Sequence, residues 1–387
     1  MKRLLAKISA FILPLLVCIF NILILLFPAQ MIGAARTGLN LWFNQVAPSL
    51  IPFIIGTNIL VGSGAVSFIG ALLEPIMLPL FGVRGAGGFA LITGMTSGYP
   101  MGAKITAHLR EQKELTQVEA ERLITFCNNA GPLFILGAVG VGMFNSAAFG
   151  YFIMLCHYAS AILTGLVFKH YRRRGSRAKL SHNGRVGGSN TISKAYRSMR
   201  KTQRQDGRSF GALLGDSTKN AMETIALIGG FIILFCVLVE VVEMVNVTSN
   251  PLTRGVLAGI LEVTNGANIL SDGGISRQTA CFTIGIISFG GFSIHSQALT
   301  FIHKSDIKPT IYILGKLLHG LLAFVLSWVL FPFFTLVPIA VFAPSAANER
   351  DFLQQLVFST FVFIAVTAVL FFVALTITLL HKNRAKG

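Results

Sequence analysis

The sequence predicts an all-α polytopic membrane protein made of two inverted repeats with re-entrant hairpins and broken helices. Three observations carry this expectation. Hydrophobic residues make up 53% of the 387 positions and charged ones 12%, with a mean hydropathy of +0.70. A soluble core of this size does not need so much apolar surface. Apolar runs recur at about the 20 residues a helix needs to cross hydrocarbon. Finally, segments broken by glycine and proline stand at matching places in two halves of the chain, the sequence sign of a secondary transporter.

Residues 1–39 read as an N-terminal transmembrane helix and connector. They open with Lys2, Arg3 and Lys7, followed by an apolar run at 8–27. That run is longer than the apolar part of a signal peptide, and no clean small-residue cleavage site follows, so a retained helix is expected. Further spans are expected at 46–63, 123–145, 147–168, 221–245, 309–334 and 353–380. The shorter stretches 65–82 and 255–270 carry Glu74 and Glu262 and are expected to be interfacial, short or broken. Residues 336–387 read as a C-terminal transmembrane helix and tail.

Residues 169–211 hold thirteen Lys/Arg and one acid, Asp206. This composition predicts a disordered hydrophilic linker. It also supplies much of the net charge of +17. A short basic loop stays on the cytoplasmic side, and no aromatic interleaving points to nucleic acid. With the N-terminus also cytoplasmic, the first hairpin enters from the cytoplasm and the second from the opposite side.

The linker separates a first repeat, 40–168, from a second, 212–335. "SGYPMGAKITAHL" (97–109) matches "GGFSIHSQALTFI" (290–302) in pattern, aligning Gly98 with Gly291, Tyr99 with Phe292 and Lys104 with Gln297. Broken backbone survives in a membrane only where it is buried in protein or lines a wet cavity. Residues 86–110 and 279–303 are therefore expected to be re-entrant hairpins whose tips meet near the membrane centre.

The first tip carries the candidate anion chemistry. Gly98 permits a tight turn, and Pro100 suits the first turn of the next helix. The free amides there favour an anion, and Lys104 adds a full positive charge. Tyr99 and Phe292 offer aromatic faces to a flat ring. In "FCNNAGPLFILG" (126–137), Asn128 and Asn129 precede a helix-breaking Pro132. Glu262 and Asn265 are the coupling-ion candidates, since an ionisable group at membrane depth is a functional candidate by default. Lys316 and His319 share one face of the 309–334 helix; a histidine there can relay protons, and is read instead as a packing or hydrogen-bonding residue. The five cysteines, Cys18, Cys127, Cys156, Cys236 and Cys281, are isolated in apolar runs and read as reduced packing thiols. No metal-ligand spacing, P-loop, HExxH or nucleophile elbow occurs, so no enzyme, metal or cofactor is expected beyond a coupling proton or sodium ion.

"SGYPMGAK", "FCNNAGPLFILGAVGVGMF" and "FGGFSIHSQ" resemble the sporulation integral membrane proteins of spore-forming Firmicutes, which carry duplicated nucleoside-recognition, or gate, domains. The resemblance spans about residues 40–335. That family is similar to concentrative nucleoside transporters, with inverted repeats around a central site. The resemblance implies a stage V sporulation transporter moving dipicolinic acid across the outer forespore membrane, from mother cell toward forespore. It implies substrate-binding roles for Gly98, Tyr99, Pro100, Lys104, Asn128, Asn129, His295, Ser296 and Gln297, with Phe292 added from the repeat. The expected partners are a small anion and the bilayer, with no nucleic acid; a homo-oligomer is compatible with this. Two alternatives stand beside it: a nucleoside or nucleobase transporter of the same fold, and a non-transporting membrane scaffold for spore assembly.

Overall fold

The computed structural model describes residues 2–172, 191–245 and 248–336. The span expected at 353–380, and the C-terminal unit beyond Leu336, lie outside them. The regular secondary structure of the described residues is all helical, and four helices are long and apolar enough to cross a membrane, or up to six if each bent pair counts as one.

α1 (Lys2–Leu26) meets α2 (Pro28–Leu41) at a bend of 103°. Pro28 opens α2 where its missing N–H costs nothing. A π-helix, Trp42–Val46, joins α2 to α3 (Ala47–Gly62), and all three pack against α10 (Phe210–Met244). Trp42 Nε1 donates to the Ile225 carbonyl at 2.9 Å, and Asn58 reaches the Ser217 carbonyl. These elements share a small core of their own around Ala47, Ile225, Ile228, Ile232 and Cys236.

The chain then turns 82° into α4 (Ala65–Phe81), so the stretch 65–82 is one continuous helix lying across the end of α3. Against α4 lies α9 (Thr191–Asp206). This corrects the expectation of a disordered linker over 191–206. Ala195, Met199 and Thr202 recur at helical spacing and face α4, where Thr202 meets Ser67 at 2.9 Å. Arg197, Arg200, Lys201 and Arg204 stay exposed. The basic composition concealed an amphipathic period.

Each repeat consists of a hairpin, a broken span and a long helix. In the first, the hairpin is α5 (Ala86–Thr96) with α6 (Met101–Glu111). Its broken span is α7 (Gln117–Cys127) followed by a π-helix, Leu133–Met143, and its long helix is α8 (Ala147–Phe168). The span expected at 123–145 thus begins earlier and is interrupted at 128–132. In the second repeat the hairpin is α11 (Pro251–Leu261) with α12 (Val263–Ser271), turning at Glu262. Its broken span is α13 (Arg277–Phe289) with α14 (Gly291–Ile302), and its long helix is α15 (Pro309–Leu336). Both broken spans start with a capping box, Thr116 with Glu119 and Ser276 with Thr279, which satisfies the first free amides reciprocally.

The second hairpin is therefore not 279–303. α13 and α14 run on as one 26-residue span, Arg277–Ile302. They lie antiparallel to α15, with Arg277 at Trp328, Phe282 at Phe324 and His295 at Tyr312. The fold-back comes earlier, where α11 and α12 touch so closely that a Cβ on Gly266 would lie 2.2 Å from the Gly259 Cα. The sequence match had aligned a hairpin tip with a helix break. Both are places where a helix restarts after glycine, so they share a local pattern.

The inversion itself holds. Gln117 donates to the Asp306 carbonyl and Thr125 packs on Gly315, so α7 runs parallel to α15. The two broken spans are consequently antiparallel. Arg110 pairs with Asp306 at 2.7 Å, placing the open end of the first hairpin at the end where α15 begins. The open end of the second hairpin leads into the start of α13, at the far end.

Candidate functional site at the hairpin tips and helix breaks

Each hairpin tip touches the break of its own repeat. Gly98, at φ +89°, lies against Gly131, and a Cβ there would come within 2.8 Å of the Gly131 nitrogen. Gly291, at φ +68°, lies under the carbonyls of Gly259, Ile260 and Leu261. Tyr99 precedes Pro100 through a cis peptide and packs against a buried cluster that includes Tyr158, Val263, Ala267 and Ile294. The two tips thus share one packed cluster, through Tyr99 of the first and Val263 at the start of α12 in the second. Glu262 is buried and caps α12, accepting from the Asn265 amide at 2.8 Å.

At the first break the backbone leaves the helix at Asn128. Its side-chain amide donates to Tyr312 Oη at 3.1 Å, and its carbonyl accepts from Lys316 Nζ at 3.0 Å. Asn129 Nδ2 turns back to the Phe126 carbonyl at 2.8 Å. The Ala130 amide donates to His157 Nε2 at 3.0 Å. His157 Nδ1 therefore carries the ring proton and donates to Ser288 Oγ, 2.8 Å away in the second repeat. His319 Nε2 donates to the His157 carbonyl at 2.9 Å, which leaves His319 Nδ1 to accept from Lys316 at 3.0 Å. Tyr312 Oη, having accepted from Asn128, donates to His295 Nδ1 at 3.2 Å. One polar network thus ties α7, α8, α13, α14 and α15 together at membrane depth.

Four buried polar atoms around this network have no hydrogen-bond partner: Tyr99 Oη, Asn129 Oδ1, His295 Nε2 and Gln297 Oε1. Buried polar atoms are nearly always paired, with protein, water or ligand, so these four are atoms that a bound polar molecule could satisfy. The bonds above leave Tyr99 and His295 as free donors, and Asn129 and Gln297 as free acceptors.

Among the residues named from sequence, the structure gathers Gly98, Tyr99, Pro100, Asn128, Asn129, Glu262 and His295 at the tips and breaks, while Gln297 is buried farther along α14 with its Nε2 3.4 Å from Ser293 Oγ. It does not bring Lys104 there. The Lys104 ammonium is held by Asn220 Oδ1 at 2.5 Å and Thr224 Oγ1 at 2.7 Å, both on α10. Phe292 is 49% exposed and faces outward. Ser296 is half-buried, and Asn265 turns its side chain to Cys236 Sγ at 3.4 Å. Lys316 and His319 are fully buried and hydrogen-bonded to one another at the break. His157, Tyr158 and Tyr312 escaped the sequence reading. Their signal was a polar residue inside an apolar span, which in membranes marks function. Among the described residues, no group of three or more His, Cys, Asp or Glu could hold a metal ion.

A family model described as "Gate: Nucleoside recognition" matches residues 43–167. The chain is 35% identical over 350 residues to the sporulation integral membrane protein YlbJ of Bacillus subtilis, covering 86% of this chain and 85% of that one. The chain belongs to this sporulation integral membrane family. No solved structure matches it. The gate model takes in the first hairpin, the first break and α8, so the second repeat is recognised here by geometry. As a member of the family the chain is an integral membrane protein, in keeping with its apolar helices.

Proposed function

We propose that the protein is a secondary transporter of a small planar anion, dipicolinate, across the outer forespore membrane during sporulation. One observation carries the transport reading: two hairpins enter from opposite ends and meet two antiparallel broken helices, with four unpartnered polar atoms buried at the junction. Broken helices at the interface of inverted repeats are how secondary transporters build a midplane site. A scaffold has no need of such a junction. Dipicolinate as substrate rests on the sporulation family. Its carboxylates are suited to the free donors Tyr99 Oη and His295 Nε2 and to the nearby Lys316 ammonium.

A second reading has its own support. The free acceptors Asn129 Oδ1 and Gln297 Oε1 suit a ligand that also donates, as a nucleoside does. Uptake of labelled dipicolinate and labelled uridine into proteoliposomes separates the two. The anion reading expects saturable dipicolinate uptake that unlabelled dipicolinate competes and uridine does not. Preference for uridine would overturn it. Failure to move either would return the scaffold reading.

A further inference from the structure

We propose that Lys316 is the coupling-proton site of the transporter, taking up a proton together with the anion and giving it up on release. The proposal rests on the transport reading above. Lys316 is fully buried on α15 and takes part in no ion pair among the described residues. Its Nζ has two partners, the Asn128 carbonyl at 3.0 Å and His319 Nδ1 at 3.0 Å. A neutral amine has two N–H groups, and these two acceptors use both. An ammonium has three. Protonation therefore creates one N–H without an acceptor, beside a network whose free atoms await a ligand. An incoming carboxylate supplies that acceptor and balances the charge. Proton and anion then stabilise each other's binding, which is the thermodynamic content of coupling.

The groups facing Lys316 do not lock it in one state. α7 contributes Cys127, α8 contributes His157, α14 contributes His295, and α15 contributes Tyr312 and His319. None of these is a carboxylate that would hold the ammonium permanently. Asn128 closes α7, so the carbonyl that binds Lys316 lies at a helix C-terminus, the end that favours a cation. The break in the first repeat thus senses the charge on a helix of the second. On release, the third N–H proton passes to water, the nitrogen keeps the electron pair, and the amine retains its bonds to Asn128 and His319. One proton moves with each anion.

The test uses the full chain in proteoliposomes, reading labelled dipicolinate together with an internal pH-sensitive dye. Wild type should accumulate dipicolinate when a pH gradient is imposed, with matching proton movement, and its exchange should rise on acidification. Lys316→Gln cannot titrate. It should lose gradient-driven accumulation and proton flux, and whatever exchange remains should be flat with pH. Lys316→Arg stays charged and should also be flat with pH. If Lys316→Gln fails to fold, His319→Gln, which changes one acceptor, should shift the midpoint of the exchange-versus-pH curve; an unmoved midpoint overturns the proposal. Gradient-driven accumulation by Lys316→Gln, or wild-type accumulation that follows sodium and ignores pH, overturns it as well. Absence of any wild-type exchange would instead overturn the transport reading, and the coupling proposal with it.

Discussion

Replacing Gly266 by alanine tests where the second hairpin lies. Gly266 sits inside α12, where alanine is intrinsically better by about 1 kcal/mol. Against that gain stands a collision. The new Cβ would lie 2.2 Å from the Gly259 Cα and 2.4 Å from its nitrogen, on α11. Carbon atoms rest at about 3.5–4.0 Å, so the two legs must part by more than about 1 Å. Overpacking of this kind costs about 1–3 kcal/mol. The upper end applies because both opposing atoms are backbone and no side chain can rotate away. The net loss is about 2 kcal/mol, or about 2–3 °C in melting temperature for a chain of this size. Thermal loss of the monodisperse peak in detergent measures it. Gly230→Ala in α10, where a Cβ meets nothing within 4 Å, is the control and should not melt earlier. Melting of Gly266→Ala at or above wild type would refute the α11–α12 hairpin.

Gly98→Val and Gly291→Val should each stop exchange while the protein still inserts, since both positions have positive φ and press on backbone at 2.8 Å and 2.9 Å; reconstituted exchange measures this. Lys316→Gln should weaken apparent dipicolinate affinity by roughly tenfold to a hundredfold, the worth of one hydrogen bond to a charged group. Lys104→Gln should cost less, because that ammonium is turned to α10; the ratio of half-saturation constants decides. Cysteines placed at Gln112 and Ile275 should label from opposite sides with an impermeant reagent, as the inverted repeat requires. At the surface end of the first hairpin, the Arg110 guanidinium holds the Asp306 carboxyl below the usual carboxylate range. A carboxyl depressed on folding contributes stability above its unfolded value, about 3.9, and loses it as pH falls through the folded one. Asp306 is half exposed, so the contribution is under about 1 kcal/mol. The small melting deficit of Asp306→Asn at neutral pH should therefore disappear in acid.

The first hairpin was legible because its break is local: Gly98 and Pro100 lie within six residues of each other and of Lys104, and helices stop and restart there for reasons the chain carries itself. The first broken span was legible for the same cause, at Asn128, Asn129 and Pro132. The second hairpin was misplaced because Glu262, its turning residue, bears no glycine or proline. It turns because Gly255, Gly259 and Gly266 let two helices close on one another, a pairing of distant positions. Likewise the period in α9 was hidden under its charge until α4 supplied a surface for Ala195 and Met199.

Composition and hydropathy alone determined that this is a helical membrane protein, since burial in lipid demands apolar helices and satisfied backbone wherever they sit, and the basic linker marked its division into two halves. Local motifs determined where the first repeat breaks. Which polar side chains meet was decided only in three dimensions. Lys104 and Lys316 are alike in sequence, each a lone cation in a break or an apolar run. One is drawn aside by Asn220 and Thr224 of α10, while the other is buried at the carbonyl end of α7. That difference depends on which helices pack side by side, and such packing is a property of residues more than a hundred positions apart.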